Sequence, residues 1–138
     1  MAKDTSDSRG FDLALRGAVA RHTLRAAVAV AYGLSADRVA VVDDVGAGAP
    51  DDVDVLVELR AIGGEFGSCA SIYPRGVGRD AREIAQRGVD ALEVSALMGD
   101  DDPNPYVWLL FEPGASVRRV AVDVDALNER GWLVMIRD

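Results

Sequence analysis

Apolar positions recur along this chain at two different spacings, and the change from one to the other marks where helices give way to strands. Between Phe11 and Tyr32 the residues Leu13, Ala20, Leu24, Ala27 and Ala31 fall three, four or seven apart, with Gly17 as the one interruption, and this spacing predicts a helix. Gly33 suits the left-handed position that ends a helix, with Leu34 placed to fold back onto the last turn. From Arg38 to Val45 the run predicts a short strand, followed by an acidic loop over Gly46–Asp52. Val53–Ile62 and Glu65–Tyr73 then flank Gly63-Gly64, a dipeptide suited to a tight hairpin turn. Pairing Ile62 with Glu65 collects Val53, Val55, Val57, Leu59 and Ala61 on one face with Phe66, Ser68, Ala70 and Ile72, as a half-buried sheet requires.

A second helix is predicted over Ala81–Met98. Asp80 and Glu83 are spaced to cap its start, Ile84, Ala85, Leu92 and Ala96 form its inward stripe, and Gly99 stops it. Tyr106–Glu112 is apolar on both alternations, the pattern of a strand covered on two sides. Pro113-Gly114 turns the chain into Ser116–Val122, an aspartate-capped helical turn follows within Asp123–Gly131, and Trp132–Ile136 closes the sheet. The expected fold class is therefore α+β, a mostly antiparallel sheet of five to six strands packed against two main helices, in the order α-β-β-β-α-β-β-(short α)-β. A flexible segment is expected over residues 1–10 and one domain over 11–138.

Composition narrows the function classes. With 49% hydrophobic and 28% charged residues, 138 residues suffice for a core without covalent staples. The single Cys69 has no partner for an internal disulfide, and the polar start and the short apolar runs predict neither a secretory leader nor a membrane span, so a cytoplasmic location is expected. The net charge of −8 opposes binding to nucleic acid or anionic lipid and favours a basic protein partner.

Four patterns carry candidate chemistry. In Pro50–Glu58, PDDVDVLVE, Asp52 and Asp54 alternate with apolar residues at the opening of a strand, where two carboxylates on one edge suit a divalent metal carrying a triphosphate. This stretch resembles the aspartate strand of the minimal nucleotidyltransferases of the polymerase-β-like superfamily, and the resemblance implies a nucleotidyl-transfer activity using Asp52 and Asp54. The family's upstream Gly-Ser turn is missing, since Val41–Gly48 reads VVDDVGAG, and Gly63-Gly64 sends the chain into a hairpin where the family has a helix. The second pattern, Gly76-Val77-Gly78-Arg79-Asp80-Ala81, opens a helix like a phosphate-binding loop, with Arg75, Gly76, Gly78 and Arg79 as the anion-binding set. Asp80, as a cap, competes for the amides that an anion would need. Asp100-Asp101-Asp102-Pro103-Asn104 begins like a calcium loop but has Pro105 and Phe111 where glycine and glutamate belong. His22 is the only histidine and lacks a cysteine at ligand spacing, and Cys69 has no basic neighbour in sequence, so neither a metal centre nor an activated thiol is expected.

No cofactor is implied. The function expected from charge and composition is that of a non-enzymatic, acidic protein-binding module, in the manner of an immunity protein that neutralises a basic nuclease-type toxin. Asp43, Asp44, Asp51, Asp52, Asp54, Asp100, Asp101 and Asp102 are its expected partner-binding residues, and the chain is expected to act as a monomer or homodimer. The alternatives are a dimer resembling a secretion chaperone, with Trp108 or Trp132 at its interface, and the nucleotidyltransferase-like enzyme.

Overall fold

The computed structural model of the chain describes residues 10–43, 50, 52–75, 79–100 and 102–136. Among the described residues seven strands form one sheet: β1 (Phe11–Leu15), β2 (Val39–Val42), β3 (Val55–Ala61), β4 (Ser68–Pro74), β5 (Ala96–Gly99), β6 (Val107–Phe111) and β7 (Arg118–Ala121). Their order across the sheet is β2-β3-β4-β1-β5-β6-β7. β2 runs parallel to β3, and every other neighbouring pair is antiparallel. Helices α1 (Arg21–Tyr32) and α2 (Ala81–Leu92) cover one face, burying Leu13, Leu15, Val55, Val57, Ala70, Ile72, Met98, Leu109 and Phe111. On the other face, α3 (Val124–Arg130) and the residues after it close a second cluster over Ala14, Phe66, Leu97, Leu110 and Val122. The fold is thus α+β with a mixed sheet, and no helix among the described residues is long and apolar enough to cross a membrane.

The helix expected from Phe11 begins only at Arg21, and Phe11–Leu15 is a strand. Leu13 and Leu15 point to the helices while Ala14 points to the other cluster, a period of two that the longer helical spacing had masked. Gly17, with φ at 76°, separates the two elements. At its far end α1 closes as its sequence predicts: Gly33 is left-handed, its N–H donates to Val30 O at 3.1 Å, and Leu34 N–H donates to Ala29 O at 2.8 Å.

The β3–β4 hairpin forms, but Ile62 meets Gly67 rather than Glu65, its N–H donating to Gly67 O at 2.7 Å. The register differs from expectation by two residues. Side chains alternate with a period of two, so Val55, Val57 and Leu59 still share their face with Ala70 and Ile72. Phe66 is freed from the ladder by the longer loop and turns into the opposite cluster, where it is fully buried.

α2 starts as expected, with the Asp80 carboxylate accepting from Arg82 N–H at 3.2 Å, but it ends at Leu92 instead of Met98. Glu93 takes the left-handed conformation, φ 59°, and Ala96–Gly99 pairs on both sides as β5. Three consecutive apolar residues, Ala96, Leu97 and Met98, fit a buried helix turn and a central strand equally well, and the partners on either side decide between them. The last expected strand, Trp132–Ile136, reduces to one bridge between Met135 and Val122. Trp132 packs against Gly63 and Gly64, and Trp108 donates its indole N–H to Pro105 O at 3.0 Å, so both indoles have partners within the chain.

Gly88 is buried in α2 where that helix meets α1, and a Cβ built there meets nothing within 4 Å beyond its chain neighbours and the backbone of its own helix. The neighbouring gap, lined by Leu24, Val28 and Leu92 among others, measures about 10 Å³. Gly88→Ala is expected to stabilise the fold by about 1 kcal/mol, because it removes backbone freedom from the unfolded chain without a clash. Urea denaturation measures this, and a loss of stability would mean that the helices approach more closely than described.

Candidate functional site

The sheet end where β2 and β3 begin gathers the residues flagged for chemistry. Asp54, just before β3, is gripped by Arg38, just before β2: Nε donates to Oδ2 at 3.2 Å and Nη2 to Oδ1 at 3.0 Å. The backbone of Asp54 is fixed as well, its N–H donating to Arg38 O at 2.8 Å and its C=O accepting from Arg75 N–H at 2.7 Å. Asp54 therefore ties the starts of β2 and β3 to the end of β4. A cation bound at its carboxylate would have to displace a two-pronged guanidinium. Asp52 is exposed and stands apart on the wall of a neighbouring groove. Among the described residues no group of three or more His, Cys, Asp or Glu side chains is placed to hold a metal ion.

Hydrogen bonding and charge from Arg38 hold the Asp54 carboxyl below its ordinary value of 3.8. A depressed carboxyl contributes stability above its unfolded-state value and loses it as pH falls through the folded one. Arg38→Ala is accordingly expected to raise the Asp54 titration midpoint to the ordinary range, as followed by carboxyl-carbon NMR, and to flatten the acid side of the stability profile.

The other expected partner-facing acids are largely engaged within the chain. Asp43 pairs with Arg21 at the opposite end of β2 from Asp54. The Asp100 side chain is only 1% exposed and lies between Arg119, at 2.7 Å, and Arg82, at 3.8 Å. This placement corrects its expected role as a surface contact. Asp102 accepts from Asn104 N–H at 2.8 Å and stiffens its own turn. Asp44, Asp51 and Asp101 lie outside the described residues. Asp54 and Asp100 share one end of the sheet, yet β4 and β1 separate their strands, a gap of about 14 Å at ordinary strand spacing. Among the described residues, Asp54 and Asp100 are therefore not neighbours, and Asp43 lies at the other end of β2.

Exposed carboxylates with no ion-pair partner among the described residues occur elsewhere, at Asp12, Asp52, Glu93, Asp125 and Glu129. Asp125 and Glu129 are four apart on one face of α3, a spacing visible in the sequence once Asp123–Gly131 is a helix of two turns and not a single capped turn.

The expected anion loop is partly accounted for. Arg75 donates to Pro50 O at 2.8 Å, Arg79 lies 3.9 Å from Glu83, and Gly76 and Gly78 lie outside the described residues. Burial pushes the Tyr32 phenol up to about 12, with the nearby Arg79 pulling modestly the other way. Cys69 has a basic neighbour after all, because β3 places Arg60 directly across from it with Nη2 3.5 Å from Sγ. Burial, reinforced by Asp12, nevertheless pushes the thiol upward and keeps it protonated.

A groove of about 470 Å³ opens beside these residues, between α1 and β2. Arg21, His22 and Arg25 form its helix wall, Val39–Val42 its floor, and Pro50, Asp52 and Val53 the opposite wall. No family model matches the chain, and no curated protein or solved structure is significantly similar to it.

Proposed function

We propose that this chain is a non-enzymatic, acidic protein-binding module whose partner is a basic protein, in the manner of an immunity protein that neutralises a nuclease-type toxin. One observation carries the reading. The arginines of the described surface are largely spent on partners within the chain, whereas Asp12, Asp52, Glu93, Asp125 and Glu129 are exposed and have no ion-pair partner among the described residues. Arg25 and Arg75 are also occupied, each donating to backbone carbonyls. Such a surface steers a cationic partner from a distance and offers few cations to an anionic one.

The test is to isolate the complex from source cells at low salt, identify the bound protein by mass spectrometry and follow reassociation of the purified pair by stopped flow. A basic partner is expected, whose association slows steeply as ionic strength rises. Reversing charge at Asp125 and Glu129 together should slow association while leaving the fold intact. An acidic partner, or association indifferent to salt, would remove the basis of the proposal.

A further inference from the structure

Resting on that reading, we infer that the basic partner is held as an extended segment added to the outer edge of β2, with its backbone bonded to Val41 and a cationic side chain at Asp52. β2 is the last strand on its side of the sheet, and no described residue pairs with its outer edge. Its sequence, Val-Ala-Val-Val, contains none of the charges or prolines that commonly blunt such an edge.

Hydrogen-bond parity identifies the available groups. Even positions of β3 bond toward β4, a parity that Ile62 N–H with Gly67 O and Asp54 O with Arg75 N–H continue on either side of the strand, while the Asp54 N–H, ahead of β3, turns to Arg38 O. Odd positions of β3 therefore bond toward β2. With Val39 level with Val55 in a parallel pair, Ala40 and Val42 turn toward β3, and Val39 and Val41 turn outward. Val39 is satisfied internally, its N–H donating to Ala36 O and its C=O accepting from Arg25 Nε at 2.9 Å. Val41 is left, with its N–H and C=O directed into the groove.

The charges select the occupant. Of the groove's ionised walls, Arg21 is matched by Asp43, and Arg25 lies close enough to Asp37 to lower its titration. Asp52 is left as the surplus acid, because Arg38, near enough to feel its charge, is already bound at two points to Asp54, so an incoming strand gains by bringing a lysine or arginine. Strand addition with charged side chains on alternate positions is an established way for sheets to hold peptides.

The experiment titrates the full chain with the capped peptide Lys-Val-Lys-Val-Lys-Val and, in parallel, Glu-Val-Glu-Val-Glu-Val, reading backbone amide NMR shifts and amide exchange. The lysine peptide is expected to shift Val39–Val42 and slow exchange at Val41, while the glutamate peptide does neither. Val41→Pro removes only an outward N–H, leaves pairing with β3 intact and should weaken binding about tenfold through the loss of strand bonds. Asp52→Lys, a change at an exposed position, should weaken it about threefold and remove its salt dependence. Binding of the lysine peptide with shifts confined to α3, or binding unaffected by Val41→Pro, overturns the β2 site while the acidic-binder reading stands. Failure of the lysine peptide to bind anywhere counts against both. Self-association of the unmodified chain that Val41→Pro abolishes would assign the edge to a second copy and also overturn the inference.

Discussion

Phe66→Ala is expected to cost about 4 kcal/mol of folding stability, within the usual span for a large aromatic side chain removed from a sealed site. Phe66 is wholly buried among Ala14, Leu97, Leu110, Val122 and Leu133, and is the one aromatic ring fully buried in that cluster. The Arg16 guanidinium lies over its ring, 5.0 Å from the centroid, while Arg16 Nη2 donates to Glu65 Oε2 at 2.9 Å. Glu65 Oε1 in turn accepts from Met135 N–H at 3.0 Å. Deleting the ring therefore opens a cavity and loosens the link between the hairpin loop and the C-terminal residues. Equilibrium urea unfolding measures the loss. A cost below about 1 kcal/mol would mean that the residues after α3 do not seal this face.

Gly63→Ala comes next, at about 3 kcal/mol, and its penalty divides into two parts. Gly63 has φ at 84°, where any other residue is strained, and a Cβ there would stand 2.7 Å from the Trp132 Nε1 atom. The backbone part persists whatever faces the glycine, but the clash belongs to the indole. In a Trp132→Ala background the same substitution is expected to cost only the strain, about 1 kcal/mol, so a double-mutant cycle should give a coupling near 2 kcal/mol. A coupling of zero would place Trp132 away from the hairpin.

Local signals were the legible ones. The Gly33 stop, the Asp80 and Asp123 caps and the apolar face of the hairpin each depend on residues close together in the chain, and each formed as the sequence implies. β1 and β5 were hidden because their apolar residues suit a helix until partners arrive from far away. The same distance hid the candidate site. Charge could be counted along the chain, but Asp54 meets Arg38 from 16 residues away and Asp100 meets Arg119 from 19, so the pairs that take acids out of play appear only once the sheet has formed. Asp52 is exposed, and the arginine that feels its charge, Arg38, is taken up by Asp54.

Placing β1 fourth among seven strands has a consequence for how the chain assembles. The three strands β2, β3 and β4 and the three strands β5, β6 and β7 are joined within the sheet only by this five-residue piece from the N-terminal side. Leu15 must find both Ser68 and Ala96, so each seam closes a long span of chain before it gains any contact. Folding of this kind is slow relative to a helical bundle of equal length. Tension applied at Gly10 would be felt at the middle of the sheet rather than at its margin, and β1 acts as the keystone between two half-sheets.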